Sequence, residues 1–94
     1  MIGGFRCTET QKIFDGETST RFPPDIQHIA RRKLRLIAAA ININDLQQPP
    51  GNRLKKLVGD RSDQYSIRVN EQWRLCFEWQ DGHAYNVELT KHYE

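Results

Sequence analysis

The spacing of apolar residues along the chain changes once. In the stretch IQHIARRKLRLIAAAI, Ile26, Ile29, Ala30, Leu34, Ile37 and Ile41 recur at intervals of three and four, the repeat of one buried helix face. Pro23-Pro24-Asp25 opens that helix: proline suits the first turn, and an acid there suits the helix dipole. Upstream, MIGGF reads as a short edge strand. Thr8 to Phe14 reads as a short helix with Thr8 as N-cap and Gln11 three residues on. DGETSTR is a polar loop. After Ile41 the helical repeat breaks, DLQQ has room for one turn, and Pro49-Pro50-Gly51 excludes helix interior. From Arg53 onward the apolar interval is two. Strands are predicted over residues 54–58, 65–69, 73–79 and 85–90, separated by GDRSD, a short loop and the turn pair Asp81-Gly82. The order β-α-α-β-β-β-β predicts an α+β fold, with two N-terminal helices packed on one face of a mainly antiparallel, four- to five-stranded twisted sheet.

Parity then sorts the side chains of the sheet. The apolar groups Tyr65, Ile67, Val69, Trp73, Leu75 and Phe77 all carry odd numbers, and a one-residue slip would send a whole set to the wrong face. A three-residue loop over residues 70–72 sets Ile67 opposite Leu75 and Arg68 opposite Arg74. A similar loop over residues 81–83 sets Phe77 opposite Val87, Leu75 opposite Leu89 and Arg74 opposite Thr90. His92 then leaves on the face of Arg68 and Arg74, and Lys56 joins them if its strand pairs with the same parity. Like charges directly opposite one another destabilise a sheet pair, so such a cluster needs carboxylates of its own or an anionic partner. Glu78 and Glu88 share that face and are one source of neutralisation. They lie nearer the Asp81-Gly82 turn, however, while the cations gather at the other end.

Composition narrows the class without naming a function. The 94 residues suit one domain, residues 1–94, with 37% apolar and 28% charged residues. A net charge of +2 is too small to argue nucleic-acid binding by itself, so the placement of charge carries the information. Cys7 and Cys76 share no motif and read as free thiols in a reducing compartment. No apolar run approaches the roughly 18 residues of a membrane span, and MIGGFRCTETQK lacks the apolar core of a signal peptide, so a soluble cytoplasmic protein is expected. CxxC and HExxH are absent, and His28, His83 and His92 are scattered, so no metal or other cofactor is expected.

Arginine binds phosphate through two parallel N–H bonds and stays charged, lysine adds a point charge, and histidine moves a proton near neutral pH. Together these groups suit an RNA phosphodiester. Cations stabilise charge developing on phosphorus, a base deprotonates the ribose 2′-hydroxyl, and an acid protonates the leaving oxygen. Tyr93 has a hydroxyl for the same work, or a ring on which a base stacks. The exposed helical cations Arg31, Arg32 and Arg35 read as a solvated face or a partner contact.

The segment PPGNRLKKLVGDRSDQYSIRVNEQWRLCFEW, with GDR, YSIRVN and QWRLCF in that order and spacing, resembles the HigB-type toxins of the RelE superfamily. MIGGFRCTETQKIF and NVELTKHY fit the same pattern more loosely, so the resemblance spans essentially the whole chain. It implies a sheet of the microbial-ribonuclease type and metal-independent mRNA cleavage on the ribosome, leaving a 2′,3′-cyclic phosphate and a 5′-hydroxyl. It implies a helix-turn-helix antitoxin of the HigA kind as partner, with operator DNA reached only through the antitoxin complex. Carried over by position, Arg61, Arg68 and Arg74 match the family's basic positions, and Lys55 and Lys56 lie where relatives carry histidine or lysines. Many relatives end in Asp-Tyr-His; Lys91, His92 and Tyr93 stand there instead. The resemblance therefore implies Arg68, Arg74, His92 and Tyr93 as catalytic residues, and Arg53, Lys55, Lys56, Arg61 and Lys91 as RNA contacts. The competing function is a weakly active or non-catalytic module that binds RNA or antitoxin through the same face.

Overall fold

The computed structural model describes residues 1–91. Helix α1 (Thr8–Phe14) and helix α2 (Pro24–Ala39) precede a sheet of four strands in the order β1 (Lys55–Lys56), β2 (Gln64–Arg68), β3 (Trp73–Gln80) and β4 (His83–Lys91), each antiparallel to its neighbour. The expected α+β architecture is therefore the observed one. The N-terminal segment runs parallel to β4 through bridges at Ile2–Ala84 and Phe5–Val87, so the edge element is present but is broken around Gly3 and Gly4. Gly3 lies close to the Tyr85 ring, which would have to shift to admit a side chain there. No helix among the described residues is long and apolar enough to cross a membrane.

Both helices lay their apolar stripe on the odd-numbered sheet face. Ile13, Ile26, Ala30, Leu34 and Ile37 close over Ile67, Leu75, Phe77, Val87 and Leu89, and all ten are buried. Trp73 meets Phe22 edge-to-face with ring centroids 5.5 Å apart, and burying side chains of this size contributes about 1.5–3 kcal/mol each. Polar groups stitch the layers together. Leu89 N–H donates to the buried Thr10 Oγ1 (3.0 Å). The buried Gln27 side chain accepts from Ser19 N–H and donates to the carbonyls of Ser19 and Phe22, which ties the polar loop to α2. Arg31 is not a solvated cation: it donates to the carbonyls of Ile13 and Glu17 and so caps the end of α1.

Helix ends differ from expectation in two places. Cys7, extended at φ −128°, is the N-cap of α1, and Thr8 is already helical. Helix α2 stops at Ala39, and Ile41 is 83% exposed instead of extending the buried stripe. The cause lies just downstream. The Asp45 carboxylate accepts from Ile41 and Asn42 N–H at 3.0 Å, and Asn42 Oδ1 accepts from Asn44 N–H at 2.9 Å. This reciprocal cap starts a new 3-10 turn, Ile43–Gln47, and removes Ile41 from the helix.

The β2–β3 register is the expected one, with Ile67 opposite Leu75 and Arg68 opposite Arg74. The β3–β4 turn is not. Its loop has two residues, Asp81 and Gly82, both at positive φ (54° and 82°), and Gln80 pairs with His83. A two-residue loop reverses the parity inferred from three. A bulge then restores it: Asn86 takes φ 54°, and the ladder shifts between Cys76 and Glu78. Beyond the bulge Cys76 faces Glu88, Leu75 faces Leu89 and Arg74 faces Thr90, as expected. Strand β1 covers two residues instead of 54–58, because Arg53 is left-handed on one side and a 3-10 turn, Gly59–Arg61, follows on the other.

Replacing Thr10 by valine keeps the shape but leaves the Leu89 N–H buried without an acceptor. Urea unfolding should show a loss of about 1–3 kcal/mol, and an unchanged midpoint would mean that this bond contributes nothing.

Candidate functional site

Opposite the helices, the even-numbered face of β2 and β3 carries Ser66, Arg68, Arg74 and Cys76. Arg74 is only 9% exposed. A guanidinium taken so far out of water needs acceptors, and Arg74 finds neutral ones: its Nε–H donates to Ser66 Oγ (2.9 Å) and its Nη2 to the Arg53 carbonyl (3.2 Å). These bonds occupy two of a guanidinium's five N–H donors. Arg68, its cross-strand partner, donates from Nε to the Asn70 carbonyl (3.2 Å). Among the described residues neither arginine is paired with a carboxylate; the ion pairs belong to Arg6, Lys12 and Arg61. Glu88 is taken by Arg61 (3.3 Å) and Arg6 (3.4 Å), and Glu78 by the Asn86 amide (2.9 Å). The lengthwise sorting of charge is incomplete, since Arg61 and Arg6 meet Glu88. Burial, reinforced by the charges of Arg68 and Arg53, pushes the Arg74 pKa down, yet a guanidinium starts so high that it stays cationic at neutral pH.

Arg74 opens into a cleft of about 400 Å³ between β1, the turn after it and the sheet face. Its lining includes Lys55, Lys56, Arg61, Arg74 and Lys91 and, among the described residues, no acid. Buried Ser66, Arg74 and Cys76 lie deepest. Leu57 and Val58 form an apolar wall, and Val58 is 87% exposed. The volume suits a small ligand or one unit of a polymer. The excess of cations suits an anion, and the wall suits an apolar or aromatic face. Burial pushes the Cys76 thiol up, away from the thiolate a nucleophile requires. Among the described residues, no group of three or more His, Cys, Asp or Glu side chains is placed to hold a metal ion.

Residues 4–92 match the model of a family described as the RelE-like toxin of the type II toxin–antitoxin system HigB. The chain belongs to this HigB-like family. It is 42% identical over 78 residues to Toxin HigB-1 of Vibrio cholerae serotype O1, covering 83% of this chain and 82% of that protein. It is 34% identical over 86 residues to Endoribonuclease HigB of Proteus vulgaris, covering 90% and 91% of the two chains. An uncharacterised protein of Haemophilus influenzae is 39% identical over 77 residues, covering 82% and 76%. A HigB-like toxin is one half of a pair whose other half is an antitoxin, so the family makes an antitoxin the expected partner.

On this HigB-like framework the basic residues singled out from sequence fall in different places. Arg68 and Arg74 are brought together on one face, though only Arg74 lines the cleft. Lys55 pairs with Ser66 and Lys56 with Tyr65, so Lys55, and not Lys56, shares the face of Arg74. The short β1 has odd register sums, which reverses the parity assumed for it. Lys56 instead sets its Nζ 6.0 Å from the Tyr65 ring centroid, and Lys91, opposite Trp73, sets its Nζ 5.9 Å from that ring. Both still border the cleft. Arg61 lines it while bonded to Gln64 (3.0 Å) and Glu88. Arg53 contributes its backbone carbonyl, and its side chain is not part of the lining. His92 and Tyr93 lie outside the described residues. Ser66 was not singled out, although its register, two residues from Arg68 and opposite Cys76, sets it diagonal to Arg74. The Leu57–Val58 wall falls within the expected strand over residues 54–58, where apolar residues give no sign of a cleft.

Substituting Ser66 by alanine removes the Nε acceptor of a buried cation, and thermal or urea unfolding should show a loss of about 1.5–3 kcal/mol. In the folded protein at pH 8, iodoacetamide should modify Cys76 far more slowly than Cys7, because burial both shields the thiol and depletes its thiolate; equal rates would contradict the buried setting.

Proposed function

We propose that this chain is the toxin of a type II pair and acts as a ribosome-dependent mRNA endoribonuclease, cutting message held in the ribosomal A site and so inhibiting translation and growth. Its partners are then a HigA-type helix-turn-helix antitoxin, the ribosome and mRNA, with operator DNA met only through the antitoxin complex. It works in the cytoplasm, and residues 1–94 act as one domain. The observation that carries this reading is the buried Arg74 guanidinium. It opens into a cation-lined cleft with no carboxylate partner among the described residues, in a chain whose family includes a protein named an endoribonuclease.

The reaction needs no metal. A scissile phosphate enters the cleft against Arg74, with Arg68 beside it on the neighbouring strand. A base removes the ribose 2′-hydroxyl proton, the 2′-oxygen attacks phosphorus, and the bond to the 5′-oxygen breaks. That oxygen takes a proton, leaving a 2′,3′-cyclic phosphate and a 5′-hydroxyl. Arg74 and Arg68 stabilise the charge that builds on the phosphoryl oxygens. Lys55, on the face of Arg74, serves as proton donor or phosphate clamp, while Lys56, Arg53, Arg61 and Lys91 contact the flanking RNA. Neither histidine nor carboxylate lines the cleft among the described residues. The family resemblance points to His92 as the proton acceptor, with Tyr93 assisting; the alternative acceptor is Arg74 acting through a water. The same observation supports the second reading, a module that grips RNA or antitoxin without cutting.

Inducing wild type, Arg74→Ala, Arg74→Lys and His92→Ala, with 5′-end mapping of cellular mRNA, separates the two readings. A nuclease leaves cuts inside translated codons. Arg74→Ala, folded by circular dichroism, should lose about 10²–10³-fold in cleavage, the scale of removing one oxyanion donor. Arg74→Lys should fall between, since it keeps charge but not the fork. Full toxicity of folded Arg74→Ala would rule out this role. RNA binding that falls steeply with salt, without cleavage, would establish the module.

A further inference from the structure

The loop that presents the Arg53 carbonyl is held from behind by a side chain with no role in the cleft. Asn52 is 0% exposed. Its Nδ2 donates to the carbonyls of Leu46 (3.2 Å) and Gln48 (3.1 Å), and its Oδ1 accepts from Lys33 Nζ on α2. Both amide N–H donors and the amide oxygen are thus engaged, which fixes the rotamer. The backbone of the same residues is fixed as well: Asn52 N–H donates to the Pro49 carbonyl (2.9 Å) and Arg53 N–H to that of Pro50 (3.1 Å). Arg53 then turns left-handed, at φ 47° and ψ 53°. A residue other than glycine holds that conformation only where its surroundings impose it. The turn points the Arg53 carbonyl at Arg74 Nη2.

We infer that Asn52, braced by Lys33, is a positioning residue for Arg74: it fixes the carbonyl of Arg53, which with Ser66 Oγ sets the plane of the guanidinium in the cleft. The line runs from α2, through Lys33 and Asn52, to the Arg53 carbonyl and then to Arg74, which links the helical layer to the opposite face of the sheet. Burial lowers the Lys33 pKa, as befits an ammonium drawn out of water to reach this amide. A rigid brace matters because a phosphate-binding fork works only in register with its target, and small displacements cost rate more than affinity. The functional part of this inference rests on the proposed nuclease role of Arg74; the structural part does not.

The test uses ¹⁵N-labelled full chain and reads the Arg74 Nη–H resonances, by hydrogen exchange and heteronuclear NOE, in wild type, Asn52→Ala and Lys33→Met. The Leu75 backbone amide reports on the integrity of the sheet. If Asn52 positions Arg74, the variants exchange the Nη2–H that meets the Arg53 carbonyl roughly five- to tenfold faster, the factor for losing about one hydrogen bond, while Leu75 protection is unchanged. A brace that served only stability would leave Arg74 ordered in the folded variants, and that result would overturn the inference. Should Asn52→Ala fail to fold, Lys33→Met, which keeps the aliphatic stem, gives the same reading. In parallel, single-turnover cleavage on message-loaded ribosomes should fall about a hundredfold, with half-saturation within about threefold. Absence of cleavage by wild type would sink the nuclease reading, while the Nη–H measurement would still decide the brace.

Discussion

A buried guanidinium whose partners among the described residues are neutral oxygens is the constraint on which the molecule turns. A carboxylate opposite Arg74 would have closed the charge on itself and left nothing to draw an anion inward. Instead the nearby acids are engaged elsewhere, Glu88 by Arg61 and Arg6 and Glu78 by Asn86. Burying a charge that has no carboxylate partner among the described residues is costly, and stability for the fold has to come from another place. It comes from the opposite sheet face, where both helices bury their stripes on Ile67, Leu75, Phe77, Val87 and Leu89. One face of the same strands carries the packing, and the other carries, among the described residues, an excess of cations that suits an anionic ligand.

The surrounding cations are held with different degrees of freedom. Arg74 is fixed by two hydrogen bonds, and Arg61 is tethered to Gln64 and Glu88. Lys56 on β1 and Lys91 on β4 both line the cleft and rest near aromatic rings. Such cation–ring contacts contribute about 0.5–1 kcal/mol at exposed sites, so they hold a lysine without immobilising it. A fixed fork below and adjustable ammonium groups above suit a polymer whose reacting phosphate must be placed tightly while its neighbours vary.

Periodicity carried most of the fold and the centre of the site. Alternation and a three-residue loop together set Arg68 opposite Arg74 on the face away from the helices, because parity keeps Ile67 and Leu75 on one face and the loop length picks the register. The β3–β4 hairpin shows why parity arguments succeed even when a loop length is misread: a turn one residue shorter and a bulge one residue longer cancel. What stayed hidden was set by contacts between distant segments. Strand β1 is too short to have a repeat, so Lys55 and Lys56 exchange faces without leaving a trace in the pattern. Asn52 and Gln27 look like ordinary loop and helix-surface polar residues until their buried partners are seen. Ile41 fits the helical stripe perfectly well, and is excluded only because Asn42 and Asp45 cap the next turn first. The HigB-like resemblance identified the basic positions but not their division of labour, since identity of a residue does not say whether its side chain or its carbonyl is used.

The left-handed Asn86 has a bearing on how relatives of this chain are compared. It lies between the Asp81-Gly82 hairpin tip and the cleft, and it undoes the half-step that the tip introduces. Length changes at the tip are thereby tolerable only in company: an added or lost residue there must be matched by one at the bulge, or Glu88 and Thr90 would swap sides with Val87 and Leu89. Alignments that charge such a pair of gaps as two unrelated events will misjudge kinship, and a single unpaired gap in this hairpin marks a chain whose cleft has been rebuilt.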